Sequence, residues 1–268
     1  MKIPIILLFL FPGSYCTSTF IDNPMPGFDF RNFDNTPIKQ LAIAVESENV
    51  DEIEKLVKRD KLNLDFQDTK FGNTLLSLAL INNKRKSSEY LLKLHANPNL
   101  RSPRDDSSPF IDVCHYPINI ESVDSVLMML IKYAADVNSP QIDKLSNKSN
   151  NQTITTTPLE YLCDFGTLKC VKVLFENGVK LEFYPKNGSN SIISRALLNP
   201  RLDILKYLLI DKKVAIPDYV EIQSEGTREE HKITLRESIE NRHTQYAMDE
   251  TQKELAREIL DFLIKNQK

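Results

Sequence analysis

Apolar residues recur along most of this chain in short segments separated by polar turns. An opening segment such as Gly72–Ala79 is followed by a second segment that carries two adjacent large apolar side chains, as in Leu91–Leu92 and Val173–Leu174. Each pair supplies an apolar stripe along one side of a helix. The pattern therefore predicts pairs of short helices from about residue 36 onward.

The predicted helix pairs return at a long and regular interval. Their openings share a Ser or Thr ahead of apolar residues, at Thr74, Ser108, Thr157 and Ser191. The first two openings are 34 residues apart, and so are the last two. The middle interval is 49 residues, and we assign its excess to an enlarged turn near Pro117 and a polar loop at 141–156. An interval of this length predicts a repeat protein whose stacked units share one core.

The ends of the predicted helices carry matching signals. Thr157 can cap its helix through its side-chain oxygen, and Pro158 follows at the first helical position, where the missing N–H costs nothing. At the ends of the second helices, Gly178 suits a left-handed backbone. His95 and Ala134 must adopt the same left-handed turn at a steric cost, because they carry a Cβ atom.

These segments resemble ankyrin repeats. The family pattern is a Thr-Pro-Leu helix start, a second helix with paired leucines and a Gly-Ala-Asp-Val-Asn exit. Lys132–Asn138 matches that exit, with Ala134 in place of the first glycine. The resemblance implies an all-α fold, an ankyrin-repeat solenoid of about six helix-turn-helix repeats, over residues 36–268. Inserted loops are expected near 141–156 and 217–230.

The two ends of the resemblance are weaker than its middle. Gln40–Val57 is expected to form the first repeat, with an acidic exposed face. Lys232–Asn266 is expected to form the last repeat, with a long polar turn at 241–251 between its helices. Terminal repeats are commonly atypical because they cover the ends of the shared core.

The N-terminus has the layout of an export signal. Lys2 precedes the apolar run Ile3–Phe11, so residues 1–18 are expected to be a secretory signal peptide. The run is far below the roughly 20 residues of a membrane-spanning helix. Cys16 stands where a bacterial lipoprotein is acylated, although Tyr15 is bulky where such signals require a small residue. Lipidation and simple cleavage both stay open.

This reading of the N-terminus sets the expected location. We expect an exported protein that is periplasmic or envelope-associated in a bacterium and secreted in a eukaryote. It would meet a membrane only through a lipid on Cys16. Residues 19–35 are expected to be a leader that lies over the first repeat or stays flexible.

Charge and composition narrow the classes of function. A net charge of −3 over 268 residues gives no field that favours nucleic acid, and the 7 glycines form no phosphate-binding loop. The basic run Lys84–Lys86 is expected to be a solvated helix start. Cys114, Cys163 and Cys170 are expected to fill the core as small apolar side chains.

The sequence contains no reactive constellation. The four histidines lack the spacings of zinc ligands, and adjacent helical residues such as Cys114 and His115 diverge by about 100°. We therefore expect no metal site, no cofactor, no small-molecule substrate and no enzymatic activity. Three N-glycosylation sequons, at Asn147, Asn151 and Asn187, lie in predicted turns and matter only where exported proteins are glycosylated.

The resemblance implies where a partner would bind. Ankyrin repeats use the turns between repeats and the exposed face of each first helix. In this sequence the corresponding side chains are Lys70, Phe71, Asn73, Arg104, Asp105, Asp106, His115, Tyr116, Asp164, Phe165, Tyr184 and Lys186. The alternative is that the aromatic members only pack against the next repeat.

The expected function is an exported module that binds a protein partner through its concave ankyrin surface. One specific form of this expectation is an immunity protein that neutralises a toxin or effector. A structural or chaperone-like accessory of an envelope enzyme is the alternative hypothesis. The sequence does not identify the partner.

Overall fold

The computed structural model describes residues 25–143, 154–183, 186–188, 191–198, 201–224, 230–245 and 248–266, and this part of the chain is mostly helical. Its α-helices are α1 Lys39–Glu46, α2 Val50–Asp60, α3 Leu75–Ile81, α4 Arg85–Lys93, α5 Pro109–His115, α6 Val123–Lys132, α7 Pro158–Phe165, α8 Leu168–Glu176, α9 Ile192–Leu198, α10 Leu202–Lys206, α11 Leu235–Gln245 and α12 Glu250–Asn266. The helix that starts at α10 continues as one π-turn over Tyr207–Asp211.

The helices pair in chain order into six antiparallel hairpins, α1–α2 through α11–α12. The first helices of successive hairpins pack on one another in the order α1, α3, α5, α7 and α9. Second helices pack in a parallel row, with α2 on α4, α6 on α8, α8 on α10 and α10 on α12. Of the helices that the structure describes, none has both the length and the apolar character to cross a membrane.

Side-chain caps start the first helices where the sequence predicts them. The Oγ1 atom of Thr74 accepts a hydrogen bond from the Ser77 N–H at 3.2 Å. Thr157 and Glu160 form a full capping box, and Pro158 occupies the first helical position. The predicted caps are therefore confirmed at these helices, and such a cap contributes about 1 kcal/mol to a helix.

A left-handed residue follows the second helix of each of the first five hairpins. These residues and their φ angles are Lys61 at 51°, His95 at 72°, Ala134 at 66°, Gly178 at 84° and Lys213 at 53°. Only Gly178 avoids the steric cost of a Cβ atom at this angle. The left-handed turn predicted at His95 and Ala134 is confirmed.

One continuous core runs between the two rows of helices. Large side chains such as Leu78, Leu91 and Leu127 are fully buried, each against side chains of neighbouring hairpins. The described cysteines lie in the same core as free thiols, as predicted, at Cys114, Cys163 and Cys170. Burial raises the pKa of the Cys114 and Cys163 thiols well above the ordinary value, so both stay protonated.

A ladder of side-chain hydrogen bonds joins the exits of successive hairpins. Asn99 Nδ2 donates to the carbonyl oxygen of Ala134 at 2.8 Å, and Asn99 Oδ1 accepts from the Asp136 N–H at 2.8 Å. Asn138 repeats both bonds one hairpin later, to the Gly178 carbonyl at 3.1 Å and from the Lys180 N–H at 2.7 Å. These amides satisfy backbone groups that the tight exit turn would leave unpaired.

The ladder begins one hairpin earlier with a carboxylate. Asp65 Oδ1 accepts from the Asn97 N–H at 2.8 Å, at the position equivalent to Asn99 and Asn138. Asn99 and Asn138 each donate one hydrogen bond and accept another. A carboxylate cannot donate, so Asp65 makes only the accepted bond. The three rungs together connect the exits of the first four hairpins.

Two short β-hairpins close the inserted loops, which an all-α prediction did not include. Strands β1 Gln141–Asp143 and β2 Ile154–Thr156 pair antiparallel at the ends of the first insertion. Strands β3 Glu221–Ser224 and β4 Glu230–Ile233 pair in the same way in the second. The insertions thus leave and rejoin the helical stack at adjacent points, which keeps the repeat order intact.

The last hairpin differs from its prediction in two places, the start of its first helix and the length of the turn between its helices. Lys232 and Ile233 belong to β4, and α11 begins only after Thr234, which caps it together with Glu237. The turn between the last two helices is also shorter than the predicted 241–251, because α11 continues to Gln245 and α12 starts at Glu250. A strongly polar sequence can remain helical where one face is packed.

The described part of the leader packs on the first hairpins. Two short 3₁₀ turns, Pro26–Phe28 and Phe30–Phe33, contact α3 and α1. The rings of Phe28, Phe30 and Phe33 are buried there. The signal region 1–18, with Cys16, and leader residues 19–24 lie outside the described residues.

The hydrogen-bond ladder predicts that two substitutions of Asn138 lower the free energy of unfolding by different amounts. We expect Asn138→Ala to lower the free energy of unfolding by about 1–2 kcal/mol, since it removes two bonds between hairpins. Asn138→Asp keeps the acceptor for Lys180 and should lose about half as much. Urea denaturation measures both values, with Asn266→Ala, in the last turn of α12, as a control of small effect. Equal losses in the two Asn138 variants would contradict the assignment.

Candidate protein-binding surface

The turn before α3 is built around one aspartate. Asp68 Oδ1 accepts from the N–H groups of Lys70 and Phe71, and Oδ2 accepts from the Asn73 N–H at 2.8 Å. This arrangement leaves the Lys70 side chain exposed, with its ammonium 4.7 Å from the centre of the Phe71 ring. Asn73 is buried and donates to the carbonyl of Gly27 at 2.8 Å. Lys70 and Phe71 are therefore accessible. Asn73, predicted with them as a binding residue, is instead buried against the leader and is not available to a partner.

The turn before α5 lies beside that turn and is bonded to it. The guanidinium of Arg104 donates to the Thr69 carbonyl at 2.6 Å, and Gln67 Nε2 donates to the Arg101 carbonyl at 2.8 Å. On the other side, Asp106 Oδ2 accepts from the Ile142 N–H of β1 at 3.0 Å. The predicted residues of these two turns are thus brought together on one edge of the stack.

Aromatic side chains of two first helices meet in one cluster, His115, Tyr116, Tyr161 and Phe165, which we term the aromatic cluster. The imidazole of His115 lies between two phenol rings, with ring centres 4.4 Å from Tyr116 and 4.4 Å from Tyr161. The Phe165 ring is 6.0 Å from His115 and 41% exposed. Three of the four were predicted as binding residues, and the structure places them in contact.

The stacking of first helices sets which side chains meet in this cluster. Tyr161 is four residues past its helix cap and lies on His115, seven residues past the preceding cap. Arg195, four residues past Ser191, reaches Asp164 of the preceding helix in the same way. Position four of one helix therefore faces position seven of the helix before it, and a tyrosine above a histidine gives a stacked ring pair.

Burial sets the protonation of the cluster. It lowers the pKa of the His115 imidazole, although the carboxylate of Asp105 opposes that shift, so the ring is neutral at pH 7. Burial also raises the pKa of Tyr116, and that of Tyr161 to about 12. The Tyr161 hydroxyl donates to Gln141 Oε1 at 2.6 Å. The cluster thus offers uncharged ring faces and hydroxyl groups, and Asp105 and Asp112 lie close enough to affect the pKa values of its members.

Asp164 does not belong to the exposed surface, contrary to the sequence-based prediction. It is buried, and Arg195 Nη1 donates to its Oδ2 atom at 2.7 Å, while Arg195 Nη2 lies 3.8 Å from Glu160 Oε1. Burial raises the pKa of Asp164, and the guanidinium partly offsets this increase. The side chain joins α7 to α9 and is not available to a partner.

The remaining predicted residues lie apart from the cluster. Lys186 is exposed in the loop before α9, and Tyr184 lies outside the described residues. Next to Lys186, Asn187 Nδ2 donates to Asp218 Oδ2 at 3.0 Å, and Asn187 Oδ1 accepts from the Asp218 N–H at 2.8 Å. This sequon asparagine is therefore engaged within the fold, while Asn147 and Asn151 lie outside the described residues.

Sequence reasoning missed Tyr161 of the aromatic cluster and the buried ring of Phe28 that packs against it. Tyr161 precedes Phe165 by one helical turn, so the i, i+4 spacing could have placed both rings on one face. Phe28 of the leader lies edge-on to Tyr116 with ring centres 5.5 Å apart. Nothing in its local sequence signals that contact, because it depends on how the leader crosses α3.

Asp112 is a buried carboxyl group beneath this surface. The hydroxyl groups of Ser107 and Ser77 donate to it, and no basic side chain pairs with it in the part of the chain described. Burial raises its pKa to about 7, against the lowering effect of the two hydroxyls. A carboxyl group of this kind is stable when protonated and costs free energy when ionised.

The described residues offer recognition groups and no assembled reactive site. No cluster of three or more His, Cys, Asp or Glu side chains that could hold a metal ion occurs among them. His115 touches two rings, and Asp112 and the thiols of Cys114 and Cys163 are buried away from solvent. Exposed or half-exposed rings next to polar groups are typical of surfaces that bind proteins.

Comparison with known proteins assigns no family. No model of a known protein family matches the chain, and no curated protein sequence matches it significantly.

The buried carboxyl predicts a pH-dependent stability. The pKa of Asp112 is about 7 in the folded chain and about 4 when unfolded, so the folded state binds the proton between these values. Proton binding by Asp112 therefore stabilises the fold. This stabilisation is fully present below pH 4 and is lost as the pH rises through 7. We expect the free energy of unfolding of the wild type to fall by roughly 2–3 kcal/mol from pH 5 to pH 8 because of this group. Asp112→Asn should not show this decrease.

Thermal unfolding at the two pH values measures this difference. Asp261→Asn, at an exposed position of α12, is the control and should retain the wild-type pH dependence. The same loss of stability in Asp112→Asn and in wild type would show that another group is responsible.

Proposed function

We propose that this chain is an exported ankyrin-repeat module that binds a protein partner through the aromatic cluster and the adjoining turns before α3 and α5. The single observation that carries the proposal is the contact among His115, Tyr116, Tyr161 and Phe165 on the face of two first helices. A protein partner is supported by the half-exposed rings beside charged turns, a combination typical of protein-binding surfaces.

Three independent features support the ankyrin assignment. The hairpins stack in chain order with capped first helices, and their second helices end in left-handed residues. The Asn99 and Asn138 side chains bond each exit to the next, at the position of the last residue in the Gly-Ala-Asp-Val-Asn pattern. A stack of this kind leaves the first-helix face and the turns available to a partner along its length.

The aromatic cluster has the composition of a binding hot spot. Tyrosine is enriched among residues that dominate binding energy, because it buries a large area and loses little side-chain entropy. Phe165 remains 41% exposed although it contacts His115, so the cluster is not fully covered by the fold itself. Asp105 and Arg104 at the neighbouring turn would give the apolar centre a charged rim.

The proposal predicts that removing the central ring weakens partner binding. We expect His115→Ala to reduce affinity about tenfold or more, because both neighbouring tyrosines lose the ring that holds them. His115→Phe preserves the stack and should retain most of the binding. The measurement is affinity capture of the partner from the native envelope fraction by the full chain, followed by titration of the purified pair.

Ile264→Ser is the matched control, since Ile264 is exposed on α12 far along the chain from the cluster. Circular dichroism establishes that each variant is folded. Capture that is equal for wild type and His115→Ala would contradict the proposal. Recovery of many unrelated proteins, unaffected by the change, would favour the chaperone-like accessory. An immunity protein, as a narrower form of the proposal, requires that the captured partner loses its toxicity when bound.

Export is the second part of the proposal and is supported by the Lys2 and Ile3–Phe11 pattern. We expect the intact mass of the protein purified from its native envelope to correspond to cleavage between Ser14 and Ser18. A start at Cys16 with the added mass of acyl chains would identify a lipoprotein. A mass that includes residues 1–18 unprocessed would contradict cleavage and export by this signal.

A further inference from the structure

The turn between α5 and α6 departs from the repeat pattern. Seven residues, 116–122, separate these helices, whereas three separate α3 from α4 and two separate α7 from α8. The extra residues include the 3₁₀ turn Pro117–Asn119. They project from the end of the stack opposite to the turns that precede the first helices, because each hairpin reverses the chain direction.

This turn holds one apolar side chain out into solvent. Ile118 is 84% exposed, while Pro117 and Ile120 on either side of it are buried. Asn83 clamps the turn from the preceding hairpin, donating to the Asn119 carbonyl at 2.7 Å and accepting from the Glu121 N–H at 2.8 Å. These two bonds fix the backbone just after Ile118, and the buried Pro117 precedes it. Ile118 is therefore exposed within a turn that hydrogen bonds hold to the preceding hairpin.

A groove lies between this turn and α8, and we term it the turn groove. Its volume is about 320 Å³, enough for one or two large apolar side chains. Ile118 and Phe165 line it, together with Lys169 of α8 and Arg201 at the start of α10. Phe165 also contacts His115, so the turn groove continues directly from the aromatic cluster.

The charges around the turn favour an acidic partner. The charged residues that line the turn groove are the cations Lys169 and Arg201 and one acid, Asp124. Neither cation has an ion-pair partner in the described ranges. On the other side of the turn, Lys84 and Arg85 line a second groove with one acid, between α4 and α6. Basic side chains therefore outnumber acidic ones on both sides of Ile118, although the whole chain carries a net charge of −3.

We propose that the turn groove binds an acidic segment of a partner protein, which inserts an apolar side chain between Ile118 and Phe165 and places carboxylates against Lys169 and Arg201. This inference rests on the proposed protein-binding function and names the chemistry of the partner segment. The apolar contact supplies affinity, while the cations select for acidic neighbours and speed association. The segment would bind beside the aromatic cluster and share Phe165 with it.

The test is selection of random short peptides displayed on phage against the full chain, with the Ile118→Ser variant selected in parallel. We expect wild type to enrich peptides that combine Asp or Glu with Leu, Ile or Phe. Fluorescence anisotropy of a synthetic selected peptide should show about tenfold weaker binding to Ile118→Ser. The double variant Lys169→Glu with Arg201→Glu should prefer the same peptide with its acids replaced by lysine.

Controls at α12 match both changes: Ile264→Ser for the apolar side chain and Lys265→Glu for the charge, and neither should alter binding. Enrichment of basic or uncharged peptides, or equal affinity for wild type and Ile118→Ser, would overturn the inference. So would the absence of enriched peptides together with self-association that Ile118→Ser abolishes in sedimentation, because the groove would then belong to a second copy of the chain.

The outcome separates this inference from the proposed function. If His115→Ala loses the native partner while Ile118→Ser and the double variant retain it, the aromatic cluster stands and the turn groove assignment fails. If peptides bind the turn groove as expected and His115→Ala retains the partner, the assignment of the aromatic cluster fails.

Discussion

The structure depends on the fact that no single hairpin can bury its own apolar stripe. Two helices of seven to eleven residues, as in the first four hairpins, expose one face to the next hairpin and one to the previous hairpin. Stacking covers those faces but brings polar backbone turns together at each junction. The Asp65, Asn99 and Asn138 side chains resolve this conflict, because each one satisfies backbone groups of the following exit turn. Apolar stacking and polar pairing thus require the same spacing between hairpins.

That shared spacing explains which parts of the fold the sequence reveals. Caps such as Thr74 and Thr157 and the exit at Gly178 are local signals, and they recur wherever a hairpin starts or ends. The mostly helical character and the buried cysteines follow from the same apolar pattern. The strands β3 and β4 were missed because their pairing joins residues across an insertion. The start of α11 was misplaced for the same reason. A buried apolar residue such as Ile233 fits a strand or a helix equally well, and only its pairing with Glu221 shows that it belongs to a strand.

The candidate surface was predictable to a lesser degree. His115, Tyr116 and Phe165 follow from their position at the ends of first helices, where the repeat pattern leaves side chains uncovered. Asp164 has an equivalent position and was predicted with them, but Arg195 of the next hairpin buries it. Exposure at such a position therefore depends on a residue about 31 places away, which no local pattern contains. Tyr161 was missed for the converse reason, since it gains its role from the histidine in the hairpin before it.

Stacking restricts where this fold can carry function. Positions that face the adjacent hairpins are fixed by packing, and exit positions are fixed by the ladder, so variation is tolerated at the face of the first helices and in the turns. Both proposed surfaces occur at such places: the aromatic cluster lies on two first helices, and the turn 116–122 is longer than the equivalent turns of the neighbouring hairpins. Phe165 belongs to both, and it lies at the end of α7, which begins with a capping box and is joined to α9 by the Asp164–Arg195 contact. A partner that binds one surface would therefore meet the other next to it, so the two contacts share one ordered helix and the cost of association is met once.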